Sequence, residues 1–314
     1  MYPHFIYIST GLKWLDPIDL PAYFTMLLFG FAISIYLLRR WAGRQGIDQA
    51  LMTDLGLYII IMGVVGGRIL HVFADGKFMD YVNVCIEPSK VEWDVSKTAC
   101  PTIGGTWDQA AGVCRPAAAN CWAWAQLWNG GFVFYGGLVL AVAFGIWFIR
   151  RHRLPLLPLL DAGGWAVPFG LFWGRIGCFL GGCCFGERTD LPWGVSFPPY
   201  SPASDLHHHM GWIASRNEWS LPVHPTQLYE ALFALALSAA ILWWLGPRRR
   251  YQGQLFLAFV GGYAVFRFLV EFIRSDERGG IGSLSTSQII SLAALALVLW
   301  AAKRLRKAAL IKIR

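Results

Sequence analysis

Residues 157–180, LPLLDAGGWAVPFGLFWGRIGCFL, are the stretch that decides the fold. About 20 helical residues cross the roughly 30 Å hydrocarbon core of a bilayer, so this stretch is long and apolar enough for a transmembrane helix. Its end overlaps GRIGCFLGGCCFG (174–186), where Arg175 lies among glycines and three cysteines. The stretch therefore predicts a membrane helix that carries a permanent positive charge.

The composition of the whole chain agrees with a membrane protein. Of 314 residues, 56% are hydrophobic and 15% are charged, and the mean hydropathy is +0.46. Soluble domains have about 25% charged and about 45–50% apolar residues, so the composition excludes an ordinary soluble protein. We attribute the net charge of +8 to membrane topology and attraction to anionic membrane lipid, and we expect no nucleic-acid partner.

Six further apolar stretches have the length of a membrane span. They cover residues 22–39, 51–73, 131–149, 226–245, 253–273 and 285–302. The sequence therefore predicts an all-α integral membrane protein, a single polytopic domain over 1–314 with about seven transmembrane helices. The N-terminus lacks the pattern of a cleaved signal peptide, so we expect none.

Clusters of Lys and Arg follow every second span and predict the orientation of the chain. They are Arg39, Arg40 and Arg44; Arg150, Arg151 and Arg153; Arg248, Arg249 and Arg250; and Lys303, Arg304, Arg306 and Lys307. All four clusters fall on one side when the spans alternate. We therefore expect the N-terminus outside and the C-terminus in the cytoplasm, with loops or a small head on the outer face.

The first outer segment is a cysteine-rich insert over 74–128 with four cysteines. An oxidising exterior favours disulfides. Four cysteines allow three pairings, of which we prefer Cys100 with Cys114, leaving Cys85 with Cys121. A metal site is the alternative, although the spacing shows no paired CxxC units.

The second outer segment is a head loop over 186–224, rich in Pro, Trp and Gly. It contains three consecutive histidines, His207, His208 and His209. Three consecutive side chains cannot all face one ion on a helix or a strand. We therefore expect a solvated loop here rather than a metal site.

Charged residues inside spans usually mark functional sites, because they are costly in lipid. In the sixth span, Tyr263, Arg267, Glu271 and Arg274 would share one helical face, with Glu271 within ion-pair reach of both arginines. A salt-bridge ladder with a structural role alone is the alternative. Two arginines against one carboxylate would leave a surplus positive charge that invites an anion, so for Arg267 we favour a functional role.

Two other arginines share this setting. Arg175 and Arg68 each follow small residues, and with Arg267 they fall in the outward-facing halves of their spans. Helix-end snorkelling is the alternative for Arg68. Guanidinium groups bind phosphate bidentately and stay charged when desolvated. The three arginines thus point to the headgroup of an outer-leaflet phospholipid.

Several short motifs, in order along the chain, carry a family resemblance. They are PAYFTM (21–26), GGRIL (66–70), YGGL (135–138), GRIGCFLGGCCFG (174–186), PWGVSFP (192–198), HPTQLYEA (224–231) and YAVFRFLVEFIR (263–274). Together they resemble the prolipoprotein diacylglyceryl transferase family. The likeness covers nearly all the spans, and the insert at 74–128 lies outside the pattern.

The resemblance implies a reaction and its partners. Such enzymes move the diacylglyceryl group of phosphatidylglycerol to the lipobox cysteine thiol in the signal peptide of a preprolipoprotein, which forms a thioether and releases glycerol phosphate. It implies a multi-pass protein of the bacterial cytoplasmic (inner) membrane, with its active site toward the outer leaflet. No cofactor and no metal is implied.

The resemblance also assigns roles to residues. Arg175 and Arg267 match the two key arginines of the family, and Tyr135 stands where many members carry a histidine that has been a candidate base. Tyrosine is a poor base, so we expect Tyr135 to form hydrogen bonds to lipid or thiol, and His224 is an alternative base. The expected substrate-binding residues are Arg68, Tyr23, Tyr263, Gly136, Gly137, Gly174, Gly177, Cys178, Gly186, Gln227, Glu230, Glu271 and Arg274.

Cys178 and Cys183 depart from the family pattern, because many relatives have asparagine and often glutamate at these positions. Free cysteine behaves as a small hydrophobe in a core, which is the role we favour for Cys178, Cys183 and Cys184. A membrane redox centre is the alternative for them. For the whole chain, the alternative function is an anion or lipid transporter, or a lipid-binding protein, that uses the same arginines.

Overall fold

The computed structural model describes residues 4–8, 18–74, 78–93, 100, 104–125, 131–274, 280–281 and 284–311. Within these ranges the chain forms nine α-helices: α1 Ala22–Arg44, α2 Gln49–Ala74, α3 Phe78–Ile86, α4 Phe134–Arg151, α5 Leu156–Leu180, α6 Pro202–His209, α7 Thr226–Ala239, α8 Gln254–Val270 and α9 Thr286–Ile311. Three antiparallel two-stranded sheets pair β1 His4–Ile8 with β2 Ile18–Pro21, β3 Gly105–Asp108 with β4 Val113–Pro116, and β5 Gly280–Ile281 with β6 Leu284–Ser285.

The expectation of an all-α membrane protein with seven spans is confirmed. In the described part of the chain, seven helices are long and apolar enough to cross a membrane: Ala22–Arg44, Gln49–Phe73, Phe134–Arg151, Leu156–Leu180, Thr226–Arg248, Gln254–Ile273 and Thr286–Ile311. Large apolar side chains on them face outward, such as Leu28, Phe73 and Leu297, which are each 60–64% exposed. The orientation, the single domain and the two outer segments stay predictions.

The chain divides into two compact units, one formed by Met1–Gln49 with Pro155–Arg314 and the other by Ala50–Leu154. In the first unit α5 packs against α1, α7 and α8, and α8 packs against α9. Glycine permits the close approach of α5 to α1, since a Cβ at Gly177 would lie 3.1 Å from the Cα of Tyr23. The sequence therefore makes α5 the central helix of this unit.

An aspartate in α5 holds the start of α8. The carboxylate of Asp161 is 1% exposed and accepts hydrogen bonds of 2.8 Å from the backbone N–H groups of Gly253 and Leu255. The first N–H groups of a helix have no partner inside the helix, so Asp161 caps α8 from a neighbouring helix. Arg249 lies 3.6 Å from the same carboxylate.

In the second unit α2 and α4 approach each other at glycines. A Cβ added at Gly136 would meet the carbonyl oxygen of Gly66, and one at Gly137 would lie 2.6 Å from the carbonyl oxygen of Gly63. The same unit contains α3 and the β3–β4 hairpin, in which Trp107 pairs with Cys114. Small residues thus set the α2–α4 crossing, as they do elsewhere in membrane helices.

Both expected disulfides are present in the second unit. They join Cys100 to Cys114 and Cys85 to Cys121. The first closes on the β3–β4 hairpin, and the second ties the end of α3 to a position 36 residues later. The preferred pairing is therefore confirmed.

The segment 186–224 has a small core of its own. Phe197, Ala203 and Val223 are fully buried and pack with Phe185. The expectation of a solvated loop at the three histidines is wrong, because they end α6 and His207 is only 1% exposed. Its Nδ1 accepts a 3.0 Å hydrogen bond from the Leu221 N–H, so burial and this bond give His207 a structural role.

Candidate active site around Arg175

The central feature of the first unit is an ion pair between a partly exposed arginine of α5 and a buried glutamate of α7. Arg175 Nη2 lies 2.9 Å from Glu230 Oε1, and the Glu230 side chain is fully buried. The same carboxylate oxygen accepts a 2.5 Å hydrogen bond from the Tyr263 hydroxyl of α8. Three of the residues expected to bind substrate or act in catalysis therefore meet in one network.

Two polar atoms beside this network have no hydrogen-bond partner among the described residues. They are Glu230 Oε2 and Gln227 Oε1, and both are buried. Gln227 and Glu230 lie three residues apart at the start of α7, a spacing that places them on one helical face. A buried acceptor without a donor is unfavourable, so both atoms are free to accept hydrogen bonds from a ligand.

A second ion pair joins Arg267 to Glu271, as the sequence predicts. Arg267 Nη1 lies 2.7 Å from Glu271 Oε2, and both side chains are about nine-tenths buried. Ser287 accepts a 3.1 Å hydrogen bond from Arg267 Nη2, and Ser285 donates one of 2.7 Å to Glu271 Oε1. The start of α9 thus fixes this pair, and Arg267 remains within electrostatic range of Tyr263.

The prediction that Arg274 shares the helical face of this pair is wrong. Regular α-helix ends at Val270, Glu271–Ile273 is a 3-10 turn, and Arg274 has an extended backbone. Arg274 is nevertheless buried and forms a β-bridge with Gly186. A Cβ at Gly186 would meet the Ile273 carbonyl oxygen, so the glycine allows the chain after α5 to pass this turn.

Tyr23, Gly174, Gly177 and Cys178 lie where α1 and α5 adjoin. Tyr23 is within electrostatic range of Arg175 and of the three free cysteines. Gly177 contacts the backbone of Tyr23, and a Cβ at Gly174 would lie 3.7 Å from Leu27. The two glycines therefore serve helix packing here, and their role in binding substrate stays a prediction.

Arg68 belongs to the second unit and is 4% exposed. Its guanidinium donates hydrogen bonds of 2.8–3.3 Å to the backbone carbonyls of Trp124, Ala123 and Gly131. It also lies over the ring of Tyr81, with its Cζ 5.3 Å from the ring centroid. Through these contacts Arg68 holds the end of the insert and the chain just after it, and its phosphate-binding role stays a prediction.

Tyr135, Gly136 and Gly137 begin α4 in the same unit. Tyr135 is 48% exposed, whereas the two glycines lie against the backbone of α2. The alternative base, His224, belongs to the first unit, and its Nδ1 lies 3.3 Å from the Tyr229 hydroxyl. The side chain of Tyr135 is thus accessible, and its part in the reaction stays a prediction.

Two buried polar residues of the first unit are not predicted from the sequence. Thr226 is fully buried and donates a 2.8 Å hydrogen bond to the Cys184 carbonyl. Asp161 caps α8. The signal for Asp161 was present, because a single carboxylate in an apolar span is costly, whereas nothing in the pattern around Thr226 indicates its distant partner.

Comparisons with known proteins bear on this site. The family model described as "Prolipoprotein diacylglyceryl transferase" matches residues 12–303. A phosphatidylglycerol–prolipoprotein diacylglyceryl transferase from Nitratidesulfovibrio vulgaris strain DP4 is 31% identical over 293 residues, which cover 91% of this chain and 90% of the relative. Relatives of the same name from Vibrio vulnificus strain YJ016 (30%; 92% and 90% covered) and Clostridium tetani (29%; 86% and 87% covered) are similar over comparable lengths. The chain therefore belongs to the prolipoprotein diacylglyceryl transferase family.

Proposed function

We propose that this protein transfers the diacylglyceryl group of phosphatidylglycerol to the thiol of a lipobox cysteine in the signal peptide of a preprolipoprotein. Family membership makes it a phosphatidylglycerol–prolipoprotein diacylglyceryl transferase of the bacterial inner membrane, and its seven apolar helices are those of a multi-pass protein. The identity of the acceptor cysteine, the roles of individual residues and an active site at the outer leaflet are the parts that we propose.

The observation that carries the proposal is the ion pair of Arg175, which is 18% exposed, with the fully buried Glu230 at 2.9 Å. In the reaction a thiolate attacks the glyceryl carbon next to the phosphate, a C–S bond forms, and the C–O bond to phosphate breaks. Glycerol phosphate leaves with the electron pair and an additional negative charge. A fixed cation in a dry site stabilises such a charge as it develops, and Arg175 supplies it.

Tyr263 links the two arginines of the site. It donates a hydrogen bond to Glu230 and is within electrostatic range of both Arg175 and Arg267. The two ion pairs hold both guanidinium groups in fixed orientations, which removes reorganisation from the chemical step. We assign the phosphate to the region of Arg175, with Arg267 as the second cation.

The unpartnered acceptors explain a preference for a headgroup that carries hydroxyl groups. Phosphatidylglycerol ends in a glycerol with two hydroxyl groups, and Gln227 Oε1 and Glu230 Oε2 are two buried acceptors on one face of α7. Hydrogen bonds to these atoms would satisfy them. A headgroup without hydroxyl donors would leave them unpaired, which disfavours it.

The experiment is a reconstituted transfer assay. The purified protein, phosphatidylglycerol vesicles and a lipobox peptide should release glycerol phosphate and yield a peptide carrying diacylglyceryl. Arg175→Ala should lower the rate at least about 100-fold, as the loss of one transition-state donor does elsewhere. The matched control is Arg304→Ala, at an exposed arginine of α9, which should keep the rate. Equal turnover by wild type and Arg175→Ala, or no turnover by wild type, would contradict the proposal.

A further inference from the structure

Three free cysteines converge at the end of α5. The sulfur atoms of Cys178, Cys183 and Cys184 all lie within 4.8 Å of one another. Cys178 is buried and the other two are half-buried. The other four cysteines of the chain form two disulfides, so these three are set apart as thiols.

The backbone is shaped to bring the three thiols together. After α5 ends at Leu180, Gly182 and Cys184 both adopt the left-handed conformation, with φ of +68° and +63°. This conformation is uncommon for a residue other than glycine. The turn reverses the chain, so that the thiols of Cys183 and Cys184 come back to Cys178 in the last turn of the helix.

Two buried side chains of α7 fix this turn. Gln227 Nε2 donates a 2.7 Å hydrogen bond to the Cys183 carbonyl, and Thr226 Oγ1 donates one of 2.8 Å to the Cys184 carbonyl. Both side chains are fully buried. Backbone strain persists only where the surroundings enforce it, and here they enforce it at the thiol cluster.

The chemistry of the cluster favours a metal ion over a disulfide. A disulfide would use two thiols and leave the third alone, whereas Zn²⁺ takes three or four cysteine sulfurs at about 2.3 Å, which places the sulfurs roughly 3.8 Å apart in a tetrahedral site. The three sulfur atoms already lie within 4.8 Å of one another, which is close to that spacing.

We infer that Cys178, Cys183 and Cys184 bind one Zn²⁺ ion through three thiolates and leave its fourth coordination position to the thiol of the acceptor peptide. Among the described residues, the group contains no fourth His, Cys, Asp or Glu. Three protein ligands with an open position are typical of catalytic zinc. The second half of the inference rests on the proposed function.

The zinc ion would activate the acceptor thiol, a role for which the tyrosine at position 135 is poorly suited. A zinc ion held by Cys178, Cys183 and Cys184 would favour the thiolate form of a coordinated acceptor thiol, whose proton would pass to water. The sulfur then attacks the glyceryl carbon, the C–S bond forms, the C–O bond breaks, and glycerol phosphate departs beside Arg175. The resulting thioether would be a weak ligand, so the acceptor would leave the three-cysteine site free for the next peptide. This role replaces the packing role that the sequence favours for the three cysteines, and it departs from the expectation that the enzyme holds no metal.

The test measures metal binding apart from turnover. The full-length protein, purified under reducing conditions in detergent, is analysed for metal content and then titrated with Zn²⁺ and with Co²⁺ as a spectroscopic probe. We expect about one ion per chain, with absorption bands of a tetrahedral three-thiolate site. Cys183→Ala should weaken Zn²⁺ binding more than roughly 100-fold, since loss of outer-shell partners alone costs 10–100-fold. The double variant Cys85→Ser/Cys121→Ser, which keeps the cluster, should bind as wild type does.

The peptide arm tests the open position. A lipobox peptide should add a fourth sulfur to the Co²⁺ spectrum and to the zinc X-ray absorption spectrum, and a peptide with serine in place of cysteine should not. Wild-type protein that turns over but binds neither Zn²⁺ nor Co²⁺, or that binds copper alone, would overturn the site. Normal turnover with zinc bound but no added sulfur would overturn the open position. A fourth sulfur without release of glycerol phosphate would support the zinc site and count against the proposed function. The wild-type spectrum decides the case even where a cysteine variant fails to fold.

Discussion

Arg175 of α5 and Glu230 of α7 form an ion pair of 2.9 Å in which the carboxylate is fully buried. Such a pair is costly to desolvate, and removal of one partner leaves the other charge buried and uncompensated. The two residues therefore depend on each other for stability, whatever their part in catalysis. Substituting both residues together can therefore separate an effect on stability from an effect on the transfer reaction.

The first prediction is a double-mutant cycle on this pair. Glu230→Met and Arg175→Met should each lower the free energy of unfolding by about 3–5 kcal/mol, and the double variant should recover most of that loss. All three variants should be inactive in the transfer assay, because none keeps Arg175 in place beside the substrate. Thermal unfolding in detergent measures the stability, and additive losses in the double variant would refute the coupling.

The second prediction concerns the hydrogen bond from Tyr263 to Glu230, which measures 2.5 Å. Tyr263→Phe removes a donor to a buried carboxylate, so it should cost about 1.5–3 kcal/mol of stability. The transfer rate should fall as well, because Arg175 loses part of its fixed orientation. Tyr36→Phe, at an exposed tyrosine of α1, is the matched control. A Tyr263→Phe protein with wild-type stability and rate would contradict this account.

The third prediction separates packing from binding at the YGGL motif. A Cβ at Gly136 would meet the backbone of Gly66 and the side chain of Leu70, so Gly136→Ala should destabilise the α2–α4 contact by about 1–3 kcal/mol. Gly145→Ala in the same helix meets only Ile59, at 3.7 Å, and should be neutral or stabilising. If Gly136→Ala melts as wild type does but raises the KM for phosphatidylglycerol, then the glycine serves the substrate rather than the packing.

The fourth prediction concerns the cap from Asp161 on α8. Asp161→Ala removes the acceptor for the Gly253 and Leu255 N–H groups, which should cost about 1–2 kcal/mol. Because the cap acts at Gly253 and Leu255, about two turns or more before Tyr263 and Arg267 along α8, we expect a lower melting temperature with the KM for lipid nearly unchanged. Asp54→Ala, at an exposed aspartate of α2, is the control. A large change in KM without a change in melting would assign Asp161 to the substrate site instead.

The spans and the ion pair between Arg267 and Glu271 could be predicted from the sequence because both follow from local patterns. Apolar length predicts a membrane helix, and Arg267 and Glu271 are four residues apart on one helix. The position of Arg274 could not be predicted in this way, because the helix tightens into a 3-10 turn after Val270. A turn of this kind depends on tertiary contacts, here the passage of Gly186 across Ile273, which no local pattern contains.

The ion-pair partner of Arg175 likewise could not be predicted from a local sequence pattern. Glu230 was expected to bind substrate, but its pairing with an arginine 55 positions earlier depends on how α5 packs on α7. The convergence of Cys178 with Cys183 and Cys184 depends on a turn with two left-handed residues, and Thr226 and Gln227 hold this turn at the carbonyls of Cys184 and Cys183. Long-range packing therefore determines which residues of the site contact each other, whereas the sequence alone predicts which residues belong to the site.

The last prediction is a pH dependence at His207. Burial, and next the charge of Arg188, lower the pKa of this imidazole below its ordinary value of 6.5, and its Nδ1 must be unprotonated to accept the Leu221 N–H. The neutral form is thus favoured in the folded state, so the stabilisation is complete above about pH 6.5 and is lost as the pH falls through the folded pKa. The slope is at most about 1.4 kcal/mol per pH unit.

Unfolding midpoints between pH 7.5 and pH 5 measure this effect. The window lies above the titration of Asp205, whose pKa is lowered by its hydrogen bond to Arg216, so that pair stays charged throughout. His207→Gln should flatten the decline at low pH, because no imidazole remains to be protonated there. His209→Gln, at the exposed end of the same helix, should keep the decline of the wild type. Parallel pH profiles for wild type and His207→Gln would show that another group causes any loss of stability in acid.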